Sequence, residues 1–223
     1  MLSPLGLVVI VLVVAALVAV AASSVLGPRL TSRDLALVAI FTGVVAALGL
    51  VPAFSPFGGA VPITAQSMGI MLAGAILGSK RGALTVMLLL TLVAIGLPLL
   101  AGGRGGFGVF AGASVGYLLG FPVAAWLIGR LTERIGRPYK VPLGAMANIL
   151  GGVLALNVFG IIGMSLVLRI SVVEATTLAA VFVPGDLVKA VLAAFVAAGV
   201  HAGYPGLIPT RRQATATPER VSA

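Results

Sequence analysis

Long apolar runs, separated by short polar or glycine- and proline-rich connections, set the pattern of this chain and read as helices. Leu5 to Leu26 is the first run able to span a bilayer, and Gly27-Pro28-Arg29 and Arg33 follow it. Leu35 to Val51 predicts a second span and Ile63 to Gly78 a third, which opens on Thr64 and Gln66. Gly82 to Pro98 predicts a fourth, and Ala111 to Leu131 a fifth with Ser114, Gly116 and Tyr117 in its first turns. Val141 to Leu168, carrying Asn148 and Asn157, predicts a sixth, and Pro184 to Gly203 the last. Both asparagines are expected in helix-helix hydrogen bonds. Strand-period alternation is missing from Ala83–Ile95 and Ala190–Val200, so these runs do not fit an outer-membrane barrel.

The connections differ sharply in character. Lys80-Arg81 reads as a tight basic turn, and Arg130, Glu133, Arg134, Arg137 and Lys140 as a basic loop. Phe54 to Pro62 carries no charge. Leu97 to Gly108 holds a run of glycines around Arg104, and Arg169 and Glu174 fall in the loop before the last span. Basic residues therefore gather on alternate connections, which by the positive-inside rule face the cytoplasm. That parity puts the N-terminus outside and the C-terminus inside. It also favours an uncleaved first helix over a signal peptide, despite Ala19-Val20-Ala21, since Met1-Leu2-Ser3-Pro4 lacks a basic start.

Composition agrees with a multi-pass protein of the cell membrane. Of 223 residues, 60% are hydrophobic and 9% charged, and mean hydropathy is +1.22. A net charge of +9 would suggest nucleic acid for a soluble chain, but its placement here explains it and no nucleic-acid partner is expected. The absence of Cys removes disulfides and thiol chemistry, and the lone His201, near a helix end, reads as a cap or interfacial residue. The expected fold is an all-α polytopic bundle. Residues 1–30 form an additional N-terminal transmembrane helix, 31–204 one transmembrane domain, and 205–223 a disordered basic cytoplasmic tail.

Within this apolar chain, Val183-Pro184-Gly185-Asp186-Leu187-Val188-Lys189 carries the charges that stand out. Pro184 predicts a helix start reached by irregular backbone, with Asp186 in its first turn and Lys189 three residues on, both on one face. An ion pair that only pins the bundle is one reading. The cost of charge inside a membrane favours a ligand site. The neutral Phe54–Pro62 loop, the glycine loop and the Asp186 end all share the outer side, as a pocket fed from outside requires. Glycines at 102, 103, 105 and 106 let backbone approach a bound molecule, or serve a flexible loop equally well. Neither this loop nor Gly74–Lys80 fits a P-loop, so no nucleotide hydrolysis is expected. Ala39, Gly43 and Ala47, spaced by four, form a stripe that lets another helix approach closely, within this bundle or from a partner.

Four motifs in order carry a specific resemblance: Val61-Pro62-Ile63-Thr64-Ala65-Gln66; Gly96-Leu97-Pro98 with Ala101-Gly102-Gly103-Arg104-Gly105-Gly106; Gly116-Tyr117-Leu118-Leu119-Gly120-Phe121; and Phe182 to Lys189. Together they resemble the BioY family, the biotin-binding substrate-capture (S) components of energy-coupling-factor (ECF) vitamin transporters, members of the ABC transporter complexes. The resemblance implies a six-helix S-component bundle with a vitamin site near the outer face, here with one extra N-terminal helix. It implies a transmembrane coupling subunit and two cytoplasmic ATPase subunits as partners, docked through Ala39, Gly43 and Ala47. It further implies transport by toppling of the capture subunit in the lipid. Where the family has Gly-Pro-Thr-Gly-Gly-Tyr, this chain reads Gly112-Ala113-Ser114-Val115-Gly116-Tyr117.

Biotin chemistry suits the independent reading. Asp186 can accept from the ureido N–H groups, and Lys189 can donate to the ureido carbonyl or balance Asp186. Gln66, Ser114 and the backbone around Gly102 and Gly103 are candidates for further polar contacts, Tyr117 for a wall on the bicyclic ring, and Arg104 for the carboxylate. Biotin is then a transported ligand and no cofactor is expected. Another vitamin, or a proton-coupled secondary transporter using Asp186, stays open, as does self-association. An enzyme is not expected, because the chain lacks the metal pairs or Ser/Lys context that intramembrane catalysis uses.

Overall fold

The computed structural model describes residues 30–51 and 64–207. The predicted first span, the whole Phe54–Pro62 loop with its flanks, and the tail beyond Leu207 lie outside the described residues. Within them the chain is helical: α1 Ser32–Gly49, α2 Gln66–Leu77, α3 Ser79–Ala94, α4 Val115–Ile135, α5 Val141–Leu168, α6 Val172–Ala180 and α7 Val183–Gly203. A 3-10 turn, Phe107–Ala111, precedes α4. Four of these helices are long and apolar enough to cross a membrane by length and composition: α1, α4, α5 and α7.

Local chemistry sets the boundaries. Thr31 caps α1 in a capping box with Asp34, and Pro142 and Pro184 sit in the first turns of α5 and α7, where their missing N–H costs nothing. Only Gly78 separates α2 from α3. Its φ of 84° reverses the chain in one residue, so Lys80 and Arg81 lie inside α3 rather than forming the predicted turn. Likewise α4 runs on to Ile135. Arg130, Glu133 and Arg134 are therefore helical, and the loop there is only 136–140.

A second difference concerns the approach to α7. The predicted irregular segment is instead the short helix α6, because Ser171 and Glu174 form a reciprocal capping box that nucleates it. Phe182 N–H then donates to the Ala179 carbonyl and Asp186 N–H to the Phe182 carbonyl, so α6 passes into α7 through a tight turn. Glu174 is accordingly a cap, not a loop charge.

Helix contacts are close because glycine faces backbone. A methyl on Gly116 would overlap the Phe159 carbonyl and come within 2.9 Å of Gly163 Cα, so α4 and α5 meet backbone to backbone beside Tyr117. Helix α5 contains a π-helical segment, Ile149–Ala155, in which Gly151 and Gly152 accept Ile128 of α4 and Met71 of α2. Asn148 Nδ2 donates 2.9 Å to the Ala190 carbonyl of α7, and Asn157 Oδ1 accepts from Tyr117 of α4. Both asparagines thus join helices, as expected.

Hydrogen bonds at both ends of α2 and α7 show that the two run parallel. Ser67 bonds Asp186 at their starts, and His201 Nε2 lies 2.9 Å from the Ala75 carbonyl near their ends. At that second end Glu133 caps α3 by accepting from Ser79 N–H and Oγ–H, each at 2.7 Å. Arg81 pairs with Asp34 at 3.2 Å and donates to the carbonyls of Leu77 and Leu207, while Arg33 stacks over Tyr204. Leu207 is buried, so the described start of the predicted disordered tail is packed against the bundle. His201 also stacks on Tyr139 of the 136–140 loop, with ring centroids 5.0 Å apart, so it ties α7 to that loop and to α2 instead of capping a helix. The basic groups of alternate connections therefore share one end, and the starts of α2, α4 and α7 share the other.

Candidate substrate cleft

At the end where three helices start, the bundle encloses a cleft of about 570 Å³ that includes part of its opening. Its walls come from α2, α4, α5, α7 and the chain after α3. Asp186 and Lys189 form one wall, with Lys189 Nζ 2.9 Å from Asp186 Oδ1. Their side chains are only 9% and 16% exposed, so the pair is largely withdrawn from solvent. Ser67, which follows Gln66 on α2, completes a triangle. Its hydroxyl donates to Asp186 Oδ1 at 3.1 Å and accepts from Lys189 Nζ at 3.1 Å.

The glycine-rich chain after α3 forms the facing wall. Leu100 and Arg104 exchange backbone hydrogen bonds of 3.0 and 3.2 Å around a turn in which Gly102 and Gly103 both have positive φ, 77° and 68°. Both glycines are exposed and neither lines the cleft. Their contribution is the reversal itself, which side chains with a Cβ rarely adopt and which turns Arg104 back toward α4. There Arg104 Nη1 donates to Ser114 Oγ at 3.4 Å and Nε to the Ala101 carbonyl. Among the described residues Arg104 makes no ion pair. Gln66 lines the cleft too, but its amide is engaged: Nε2 donates to the Leu99 carbonyl and Oε1 accepts from Ala101 N–H. It acts as a strut holding the glycine wall against α2.

Between these polar walls the cleft is apolar and aromatic. Tyr117, Leu118, Phe121, Leu156, Leu100 and Phe182 line it, and Tyr117 meets Phe182 edge to face at 5.9 Å. The Tyr117 hydroxyl is turned away to Asn157, which leaves the ring as a wall.

Eight of the predicted contact positions meet here or frame the cleft: Gln66, Gly102, Gly103, Arg104, Ser114, Tyr117 and the Asp186–Lys189 pair, with the two glycines behind the wall. Ser67 and the apolar lining were not singled out from the sequence. The remaining predicted contacts, Ala39, Gly43 and Ala47, lie far from this chemistry on an exposed face of α1, flanked by exposed Ile40, Val44 and Leu50.

The cleft thus offers an acid and a base in contact, a guanidinium with no acidic partner among the described residues, and an aromatic slot between them. A compact ligand with neighbouring donors and an acceptor, an apolar body and an anionic tail would match it.

Comparison with known proteins points the same way. The sequence model of the BioY family matches residues 22–206. A biotin transporter BioY of Rhizobium etli is 43% identical over 187 residues, covering 82% of this chain and 100% of the relative. One from Rhodobacter capsulatus is 46% identical over 191 residues, covering 80% and 98%. A crystal structure of the S-component for biotin from an ECF-type ABC transporter superposes with a TM-score of 0.74 at 32% identity, covering 78% of this chain and 95% of that one.

Proposed function

Since the chain belongs to the BioY family, we propose that it is the biotin-capturing S component of an ECF-type transporter and takes up biotin across the membrane. It is a transport protein, not an enzyme. The observation that carries this reading is the Asp186–Lys189 pair, held by Ser67 in a largely solvent-withdrawn wall that faces an aromatic slot. An uncharged cyclic urea presents two N–H donors beside one carbonyl. Asp186 accepts from the donors, and Lys189 donates to the carbonyl. The thiophane ring and valeryl chain lie against Tyr117, Phe121 and Phe182, and Arg104, beside Ser114, receives the carboxylate.

The basic end of the bundle lies at the cytoplasm and the cleft opens outward, so the C-terminus is inside. Ala39, Gly43 and Ala47 form the docking stripe for the transmembrane coupling subunit, through which two cytoplasmic ATPases drive release. Two features support this: the stripe is exposed, and nothing lies within 4 Å of where a Gly43 side chain would begin.

Calorimetric titration of the purified chain with biotin, and with thiamine and riboflavin in parallel, tests the reading. Saturable binding of biotin alone is expected. No biotin binding, or equal binding of all three, overturns it.

A further inference from the structure

The three-way contact of Ser67, Asp186 and Lys189 contains more than an ion pair. An ammonium has three N–H donors. Here one goes to Asp186 Oδ1 at 2.9 Å and one to Ser67 Oγ at 3.1 Å. No acceptor among the described residues takes the third. The serine proton goes to Asp186 Oδ1 at 3.1 Å in preference to the Thr64 carbonyl at 3.5 Å, so its oxygen is left to receive Lys189. The ammonium is thereby fixed from two directions while its last proton stays available on the wall of the cleft.

We propose that Ser67 is a positioning residue that sets ligand specificity, by holding Lys189 so that its remaining N–H demands a hydrogen-bond acceptor from the ligand. This rests on the reading that the cleft takes biotin. With Ser67 in place, a ligand bearing a carbonyl between its two N–H groups satisfies Lys189. A ligand bearing a protonated imine there brings a donor and a positive charge against a fixed ammonium, and is rejected. Without the serine oxygen, Lys189 keeps only Asp186 and swings on a flexible stem. It can then turn its protons away, and the discrimination weakens.

The test compares biotin with 2-iminobiotin, which replaces the ureido carbonyl by a protonated C=NH group at neutral pH, on the purified full chain. Wild type binds biotin far more tightly than 2-iminobiotin. Ser67→Ala is expected to narrow that ratio by about tenfold, the loss expected for one hydrogen bond to a charged group. Ser67→Cys keeps the volume but offers only a weak acceptor, and should narrow the ratio as well. Ser67→Thr retains the oxygen and should preserve the ratio.

A merely structural serine would weaken both ligands by the same factor. A constant ratio in Ser67→Ala and Ser67→Cys, with biotin still bound by wild type, overturns this inference and leaves the biotin reading standing. Failure of wild type to bind biotin overturns both. Should Ser67→Ala not fold, the Cys and Thr variants carry the same comparison.

Discussion

Breaking and then neutralising the Asp186–Lys189 pair separates a structural pin from a ligand site. At 2.9 Å the Coulomb attraction is about 6 kcal/mol for an effective dielectric near 20, and both charges are largely shielded from water. Removing one partner leaves the other charged, unpaired and desolvated, with only Ser67 beside it. Such single removals cost about 3–5 kcal/mol in comparable buried pairs. Asp186→Asn and Lys189→Met should therefore each lower the thermal midpoint in detergent. Each should also weaken biotin binding by roughly a hundredfold to a few thousandfold.

The double variant carries the diagnosis. With both charges gone no uncompensated ion is left, and replacing a buried pair by neutral groups is often without net cost. Its thermal midpoint should return close to wild type while biotin affinity stays lost, since neither the anionic acceptor nor the cationic donor is restored. Calorimetric titration alongside thermal unfolding reads both quantities. A double variant that binds biotin like wild type would refute the reasoning, because the pair would then be only a pin. So would single variants with unchanged affinity.

Gly116→Ala places a methyl against the Phe159 carbonyl and Gly163, and should cost about 1–3 kcal/mol in unfolding and lower biotin affinity by shifting Tyr117; unchanged unfolding and affinity would refute the backbone contact. Arg104→Gln should weaken biotin by about tenfold or more and biotin methyl ester hardly at all, as calorimetry with both ligands would show. Gly43→Leu meets open space on α1, so binding should be untouched while uptake in cells carrying the coupling module is lost. Burial pushes the Tyr139 hydroxyl from 10 up to about 12, and it finds no hydrogen-bond partner among the described residues. The folded state then holds its proton longer than the unfolded chain does, so stability falls as pH rises from 10 toward 12. Tyr139→Phe should remove that loss and leave the thermal midpoint at neutral pH equal or higher.

How much of this was legible depends on what a membrane makes expensive. Asp186 and Lys189 could be read directly, since a charge in an apolar run needs a reason, and Pro184 marked the start of their helix. The positive residues indicated a shared end, and the structure does gather Arg33, Arg81 and Glu133 with its partner Arg130 there. They did not indicate secondary structure. Three charges read as loop proved to be the last turns of α4, because charge near a membrane surface is compatible with helix. Glu174 misled in the same way, although Ser171-x-x-Glu174 is a helix-start signature that can be read from the sequence.

The cleft's remaining features had no such signal. Phe121, Leu156 and Phe182 are indistinguishable by composition from residues that merely pack. Which glycines bend the chain and which admit a neighbouring helix depends on partners distant in sequence: Gly102 and Gly103 do the first, and Gly116 the second. Ser67 is the sharpest case. A neutral hydroxyl at a helix start can be satisfied by its own backbone, so a serine there signals nothing until the fold brings Asp186 and Lys189, more than a hundred residues away in sequence, within 3.1 Å. A charge is conspicuous in this chain because burying it is costly. The group that aims the charge costs little to bury, so it emerges only from geometry.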